Sequence, residues 1–156
     1  MIGQIAFWPK DGYSNNMHCE WYMEIPKDSL ISISYADFNL ESSEDDICAS
    51  DYVLIRNDND DATGPVSKLP IMAKECGAKL PPELLLKGNR LLLVFHSNHQ
   101  NEYRGFKMNY EITKEGFQIN YFLDIHLKFS GHSEKFIYLD ILMRIYFILA
   151  ISSECI

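Results

Sequence analysis

Alternating apolar and polar positions dominate the first two thirds of this chain. The clearest case is residues 18–25, HCEWYMEI, in which every second residue from Cys19 to Ile25 is apolar. The same period of two recurs in residues 30–38, LISISYADF, and in residues 105–112, GFKMNYEI. This period indicates strands with one face buried and one face in water. Residues 2–8 have the length and composition of a further short strand.

Continuous apolar runs predict strands of a second kind. Residues 90–97, RLLLVFHS, form a run of strand length, which predicts a central strand covered on both faces. Tyr52–Ile55 is a shorter apolar run. Residues 66–72 are a possible strand interrupted by Pro70, and the Pro81-Pro82 pair excludes a long helix after them. The pattern predicts a many-stranded antiparallel architecture with short turns.

The last third has a different pattern. Every second residue from Phe117 to Phe129 is apolar, which predicts one long strand. Residues 136–151 are nearly all apolar but are interrupted by Asp140 and Arg144. A span of a bilayer takes about 20 residues with few charges, so a packed element is favoured over a transmembrane helix. The composition, 47% apolar over 156 residues, fits one globular domain.

An acidic segment lies between an apolar run that ends near Leu40 and a second apolar run that begins at Tyr52. Its carboxylates are Glu41, Glu44, Asp45, Asp46 and Asp51. Carboxylates crowded at the turn between two strands repel one another, so water and salt or a bound cation must offset them. The later acidic loop, residues 56–64, lacks the glycine and glutamate that an EF-hand requires at its sixth and twelfth positions, which excludes that motif.

Net charge and motifs exclude several functions. A formal charge of −8 argues against nonspecific binding of nucleic acid and is compatible with cations or basic partners. The sequence has no G-x-S-x-G, glycine-rich phosphate loop or H-E-x-x-H motif, and no catalytic residue is expected. His96 and His99 are three residues apart where a strand gives way to a loop, so their side chains point differently and zinc is not expected there.

Four cysteines bear on the cellular compartment: Cys19, Cys48, Cys76 and Cys155. Four cysteines allow three sets of two bonds, and the sequence alone does not choose among them. Because no C-x-x-C pair is present and the cysteines lie among predicted strands, they favour disulfides in an oxidising compartment. The first residues do not form a signal peptide, so an extracellular chain would be a fragment or would have lost its start.

Seven short motifs, taken together and in order, resemble the CUB domain family. They are Tyr13-Ser-Asn-Asn with Cys19-Glu-Trp21, Phe38-Asn-Leu-Glu41, Cys48-Ala-Ser-Asp51-Tyr52-Val53, Cys76-Gly77, Pro81-Pro82 with Gly88-Asn89, Phe95-His-Ser97, and Gly105-Phe106 with Tyr110. The resemblance covers residues 3–112 and leaves residues 113–156 as a tail outside the family pattern. It implies an all-β fold, a jelly-roll-like sandwich of two antiparallel sheets, and a sandwich that does not need the tail.

The resemblance also implies one disulfide, and it leaves Cys19 without the partner that the family usually provides. Cys48 and Cys76 match the family's second cysteine pair, and closing that loop would stabilise the fold by roughly 3 to 4 kcal/mol. The family usually has a cysteine near its start that pairs with the one in C-x-W. No cysteine precedes Cys19 here, so Cys19 is free, or pairs with Cys155, or pairs with another chain.

A calcium site is the third implication. In calcium-binding CUB domains, an F-x-L-E glutamate, a C-x-x-D aspartate and an F-x-S-D aspartate hold the ion, and these positions carry Glu41, Asp51 and Asn98 here. Asn101 and the carbonyl of Gln100 could complete the shell. Asp45 and Asp46 would raise the local negative potential without coordinating. The alternative is a solvated loop in which Asn98 hydrogen-bonds Glu41 or Asp51 without an ion.

The function that the resemblance implies is a noncatalytic extracellular module for protein contacts, with calcium as the candidate ion, that takes an exposed Lys or Arg of its partner. Tyr13 is the candidate partner-binding residue outside the ion site. Nucleic acid and membrane are not expected partners. One alternative is an accessory CUB segment of a larger secreted or membrane-bound protease, and another is a structural spacer without a ligand of its own.

Overall fold

Nine β-strands and one short 3₁₀ turn lie in the part of the chain that the structure describes. The structure is a computed structural model that describes residues 1–7, 9–43, 47–58, 64–114 and 151–155. The strands are β1 Ile2–Phe7, β2 His18–Glu24, β3 Ser29–Asn39, β4 Tyr52–Asn57, β5 Ile71–Glu75, β6 Leu84–Lys87, β7 Arg90–His96, β8 Gly105–Lys114 and β9 Ile151–Cys155.

The strands form two antiparallel sheets that pack face to face. The first sheet has the order β1-β8-β3-β6, and the second has the order β5-β4-β7-β2-β9. Each sheet turns its apolar face inward, because the alternating strands place every second side chain on the same side. Ile31 and Ile33 of β3 and Met108 of β8 are fully buried in this core. The predicted all-β two-sheet sandwich is confirmed.

The central strand of the second sheet is β7, as its continuous apolar run predicts. All residues from Leu91 to Phe95 are buried. Leu91, Leu93 and Phe95 belong to the core between the sheets, where the Phe95 ring lies 5.0 Å from the Tyr13 ring. Leu92 and Val94 point the other way and form a smaller apolar cluster with Leu54.

Residues 66–72 differ from the predicted strand. Val66–Lys68 form a 3₁₀ turn, and β5 begins only at Ile71, directly after Pro70. The reason is that Pro70 has no N–H to donate to a sheet, so the ladder with β4 starts beyond it. Pro70 still contributes its carbonyl, which accepts a hydrogen bond from the Asn57 N–H at 3.2 Å.

The end of the chain returns to the sandwich. Strand β9 pairs antiparallel with β2, and Cys155 lies opposite Cys19, to which it is disulfide-bonded. Ile151–Cys155, a segment of the predicted tail outside the family pattern, thus forms the edge of the second sheet, and that the sandwich folds without residues 113–156 stays a prediction. The predicted strand over residues 117–129 and the apolar stretch 136–150 lie outside the described residues. Within the described ranges, no helix has the length and apolar character needed to cross a membrane.

Candidate functional site

The polar residues singled out in the sequence meet at one end of the sandwich. Asp51 directly precedes β4, and Asn98 follows the last residue of β7 by two positions. Because β4 and β7 are antiparallel neighbours, the start of one lies beside the end of the other. Glu41 follows β3 by two residues and reaches the same place. The name acidic end is used below for the group Tyr13, Glu41, Asp51, Asn98 and Asn101.

Asp51 is the buried centre of the acidic end. Its side chain is fully buried and accepts hydrogen bonds from the Tyr13 hydroxyl and, at 2.8 Å, from the Asn98 N–H. The Tyr13 hydroxyl also accepts a hydrogen bond from the Glu41 N–H at 3.3 Å. One phenol therefore connects the two carboxylate-bearing segments.

Glu41 faces the two amide side chains of the site. Asn98 donates from Nδ2 to Glu41 Oε2 at 2.7 Å, and Asn101 donates from Nδ2 to Glu41 Oε1. The Asn98 Oδ1 atom is turned away from Glu41 and accepts from the Gln100 N–H at 2.6 Å. Asn101 has a left-handed backbone with φ of 55°, a conformation that asparagine tolerates better than most residues. Glu41, Asp51, Asn98 and Asn101 thus form one hydrogen-bonded group.

The acidic end carries two carboxylates that are not paired with a Lys or Arg of the described ranges. No Lys or Arg in the described ranges forms an ion pair with Asp51 or Glu41. Burial raises the pKa of the Asp51 carboxyl, and the nearby charge of Glu41 raises it further, although the hydrogen bonds from Tyr13 and Asn98 oppose these effects. Burial and the Asp51 carboxylate likewise raise the pKa of the Tyr13 hydroxyl, so this phenol remains a donor.

The chemistry of these donors suits calcium better than a transition metal. Over the described residues, no group of three or more His, Cys, Asp or Glu side chains could hold a metal ion. The acidic end offers two carboxylates and two amides, and calcium accepts both kinds of oxygen. A buried carboxylate with a raised pKa and no cationic partner is also a group whose ionised form a bound cation would stabilise. The residues therefore fit a calcium ion.

Backbone and disulfide contacts hold the acidic end in place. Cys48 and Cys76 are bonded, the pairing that the resemblance implies, and Cys48 lies three residues before Asp51. Next to the bond, the Leu40 N–H donates to the Gly77 carbonyl at 2.8 Å and the Gly77 N–H donates to the Glu41 carbonyl at 3.0 Å. These contacts fix the backbone of Glu41. Asp45 and Asp46 lie outside the described residues.

Tyr13 has a different role from the expected one. Its side chain is only 1% exposed, so it cannot form a partner-binding surface directly. Its ring packs on Phe95 and its hydroxyl contacts Asp51, which makes it a residue that positions the carboxylates. The Tyr13 N–H also donates to the Tyr103 carbonyl at 2.9 Å, which fixes the backbone of this loop.

Ser97 belongs to the Phe95-His-Ser97 motif, and the structure gives it a positioning role that the motif alone does not assign. It is fully buried, and its hydroxyl donates to the Ser14 carbonyl at 2.8 Å and accepts from the Met17 N–H at 2.9 Å. These bonds tie the loop that carries Tyr13 to the segment that carries Asn98. The signal in the sequence is the position of Ser97 at the end of the apolar run of β7, because a polar side chain that is buried there needs hydrogen-bond partners.

Comparison with known proteins identifies the family. The sequence model of the CUB domain matches residues 4–110, which is more than half of the chain. The chain is 32% identical over 94 residues to cubilin of Rattus norvegicus, a match that covers 60% of this chain and 2% of cubilin. It is 32% identical over 108 residues to tolloid-like protein 1 of Mus musculus, covering 69% of this chain and 10% of that protein. The chain therefore corresponds to a small part of these relatives.

Solved structures share the fold. The CUB1-EGF-CUB2 domain of human MASP-1/3 matches with a TM-score of 0.58 and 24% identity, over 73% of this chain and 42% of that one. The MASP-1 CUB2 domain, whose structure has bound Ca²⁺, matches with a TM-score of 0.59 and 19% identity, over 70% of this chain and 91% of that one. At these identities the likeness concerns the fold alone. The sequence match and the two-sheet sandwich together show that this chain belongs to the CUB domain family.

Proposed function

We propose that this chain is a noncatalytic extracellular module that binds a basic side chain of a protein partner at a calcium ion held by its acidic end. The observation that carries the proposal is the convergence of Glu41 and Asp51, with Asn98 and Asn101, on one point of the sandwich where no cation of the described chain offsets them. Membership of the CUB family, whose modules mediate protein contacts, supports the same function.

Calcium would be held by Glu41, Asp51, Asn98 and Asn101. An amide binds calcium through its oxygen, whereas both asparagines now direct nitrogen at Glu41, so binding requires them to turn. Asn98 also supplies no charge where the family's calcium sites have an aspartate. With two carboxylates in place of three, we expect an affinity lower than that of a site with the full set.

A partner would reach the acidic end through its exposed members. Asp51 is fully buried, whereas Glu41 is half-buried and Asn101 is exposed. Glu41 is therefore the carboxylate that a lysine or arginine of the partner can contact. Asp51 would coordinate the ion from the buried side. An ion pair at such a partly buried position is attractive because it is screened less than one in open water.

Calorimetric titration with calcium tests the site. We expect weak binding to the native chain and clearly tighter binding to Asn98→Asp, which restores the third charge. The matched control is Asn109→Asp, which adds the same charge on β8, where the oxygen that accepts from Gln4 is retained. The proposal fails if neither the native chain nor Asn98→Asp binds at millimolar calcium, or if Asn109→Asp tightens binding as much as Asn98→Asp does.

A hydrolysis assay separates this module from a catalytic one. The purified chain, incubated with peptide substrates with and without calcium or zinc, should show no turnover above buffer. Turnover that survives repeated purification and depends on added metal would contradict the noncatalytic function and leave the calcium test above unaffected.

A further inference from the structure

Two histidines stand directly opposite each other on the outer face of the second sheet. His18 of β2 and His96 of β7 are register partners, and their ring centroids are 6.3 Å apart. Both point away from the core, because their chain neighbours Cys19 and Phe95 are fully buried between the sheets. His18 remains 46% exposed. A solute in water can therefore reach both rings from the same side.

We propose that His18 and His96 form a binding site for a zinc-type transition-metal ion, separate from the calcium site. Neutral imidazole is the commonest protein ligand of zinc, nickel and copper ions. With a metal-to-nitrogen distance of about 2.0 to 2.1 Å, two imidazoles on one ion have centroids roughly 5 to 6 Å apart. The observed separation is close to that value, so side-chain rotation alone brings both rings onto one ion.

Glu20 is placed to support His18 as a ligand. Its Oε1 atom lies 3.0 Å from His18 Nε2, and it is the next residue of β2 on the same face. A carboxylate that accepts from one ring nitrogen fixes the tautomer, leaves the other nitrogen its lone pair and makes that nitrogen more basic. This carboxylate–histidine arrangement is the one that metal-binding histidines use, and here it is present at an exposed histidine next to a second one.

The His96 ring also contacts an aromatic residue of the neighbouring strand β4. The Tyr52 ring of β4 lies 5.1 Å from the His96 ring at an interplanar angle of 31°, and the Lys74 ammonium lies 4.2 Å above the Tyr52 ring. These contacts restrict the rotation of His96, so less side-chain entropy is lost when a metal fixes the ring. The Lys74 charge opposes a metal cation, but it is engaged by the tyrosine face and the chain as a whole carries −8.

The proposed site differs from the histidine pair visible in the sequence. His99 lies in the loop after β7, and its ring contacts Gln100 instead of His96. His99 therefore lies outside the proposed pair and is replaced in the chain used for the test. The remaining two histidines, His126 and His132, lie outside the described residues and must be removed from the test.

The test uses the full oxidised chain with His99→Ala, His126→Ala and His132→Ala as the reference, so that His18 and His96 are its only imidazoles. Zinc is titrated calorimetrically without thiols or chelators and with millimolar calcium present throughout. We expect one zinc per chain and a melting temperature that rises with zinc. Adding His18→Ala or His96→Ala should abolish this binding, and adding Glu20→Gln should weaken it by about 10- to 100-fold.

The proposal is overturned if the reference does not bind zinc, or if the His18→Ala and His96→Ala variants bind it as tightly as the reference. Melting temperatures in EDTA show whether each variant folds, and His18→Gln replaces His18→Ala if the latter does not. The calcium affinity of each variant is measured in parallel, because the zinc site shares no ligand with the acidic end. A loss of zinc binding with unchanged calcium binding supports the zinc site whatever the outcome for calcium.

Discussion

Strand β4 joins two buried aspartates with opposite surroundings. Asp58 follows the strand and is 5% exposed; its carboxylate accepts from Arg90 Nε at 3.0 Å and from the Asn89 N–H at 2.7 Å. Asp51 precedes the strand and is fully buried, but its donors are a phenol and a peptide N–H. The domain supplies a cation for one aspartate, and no described residue supplies one for the other.

At the Asp58 end, called the closed end below, the charged side chains are paired with other groups of the chain. Arg90 also donates to the Gly64 carbonyl at 2.8 Å, and its own carbonyl accepts from Asn57 Nδ2 at 3.1 Å. Gly88 packs closely against Asp58: it has φ of 147°, and a Cβ there would collide with Asp58 Oδ1. The Asp58 carboxylate thus has a cationic partner within the chain.

The acidic end is destabilised by its own charge when calcium is absent. A carboxyl whose pKa is higher in the folded state than in the unfolded state holds its proton longer when folded. Stability from such a group falls as the pH rises through the unfolded pKa and the higher folded pKa. The raised pKa of Asp51 therefore means that its ionised form, the form that binds calcium, costs the empty domain stability. This difference between the two ends leads to three predictions.

Of the three predictions, the largest change in stability is expected for the loss of the Cys48–Cys76 disulfide, the bond that lies next to the acidic end. Cys48→Ser with Cys76→Ser should lower the free energy of unfolding by about 3 to 4 kcal/mol, because the bond closes a loop of 28 residues in the unfolded chain. Urea unfolding measures the change. The variant should also bind calcium more weakly, since its Glu41 backbone is less fixed.

The control for this prediction is the other disulfide. Cys19→Ser with Cys155→Ser removes a bond between β2 and β9 and leaves the contacts of Glu41 and Asp51 intact. Because this bond joins residues 136 apart in sequence, its loss should lower the free energy of unfolding by at least as much as the loss of Cys48–Cys76. The calcium affinity of the folded variant should nevertheless equal that of the native chain. Equal loss of calcium affinity in both double variants would show that the Cys48–Cys76 bond has no local role at the acidic end.

The second prediction concerns the closed end. Asp58→Asn should lower the free energy of unfolding by about 2 to 3 kcal/mol, because it leaves the guanidinium of Arg90 without its charged partner. Chemical unfolding at neutral pH measures the loss, and calcium affinity should not change. A stability equal to that of the native chain would contradict the role given to the Asp58–Arg90 pair.

The smallest effect is expected for the same substitution at the other end. Asp51→Asn in a calcium chelator should change the free energy of unfolding by less than about 1 kcal/mol. The amide oxygen still accepts from the Asn98 N–H, the amide NH2 can donate to the Tyr13 oxygen in place of the carboxylate oxygen that accepted from it, and the buried charge is gone. If Asp51→Asn lowers the free energy of unfolding in chelator as much as Asp58→Asn does, the ionised Asp51 carboxylate does not destabilise the domain. The proposed difference between the two ends would then be wrong.

The sequence predicts the strands and the polar group better than it predicts their partners. The period of two in β2, β3 and β8 and the apolar run of β7 follow directly from burial on one or both faces, and family motifs mark Glu41, Asp51 and Asn98. The partner of Cys19 could not be predicted, because four cysteines allow several pairings and the choice depends on how β9 aligns with β2. His18 and His96 are distant in sequence, and only the register of β2 and β7 pairs them.

Tyr13 shows a second limit of sequence analysis. The motif marks the residue but does not say whether its phenol faces a partner or the core. That depends on the contacts of its side chain with Phe95 and Asp51, residues that are distant in sequence. Pro70 shows the converse, because its missing N–H is a local property that could have placed the start of β5 at Ile71.

Whether calcium binds at Asp51 is measured by the calcium-induced change in melting temperature of three chains: native, Asp51→Asn and Asp58→Asn, each in chelator and in calcium. At a calcium concentration about ten times the Kd, binding adds about 1.4 kcal/mol, which raises Tm by several degrees for a domain of this size. We expect this increase for the native chain and for Asp58→Asn, and none for Asp51→Asn. The same increase in both variants, or none in the native chain, would show that Asp51 does not bind calcium.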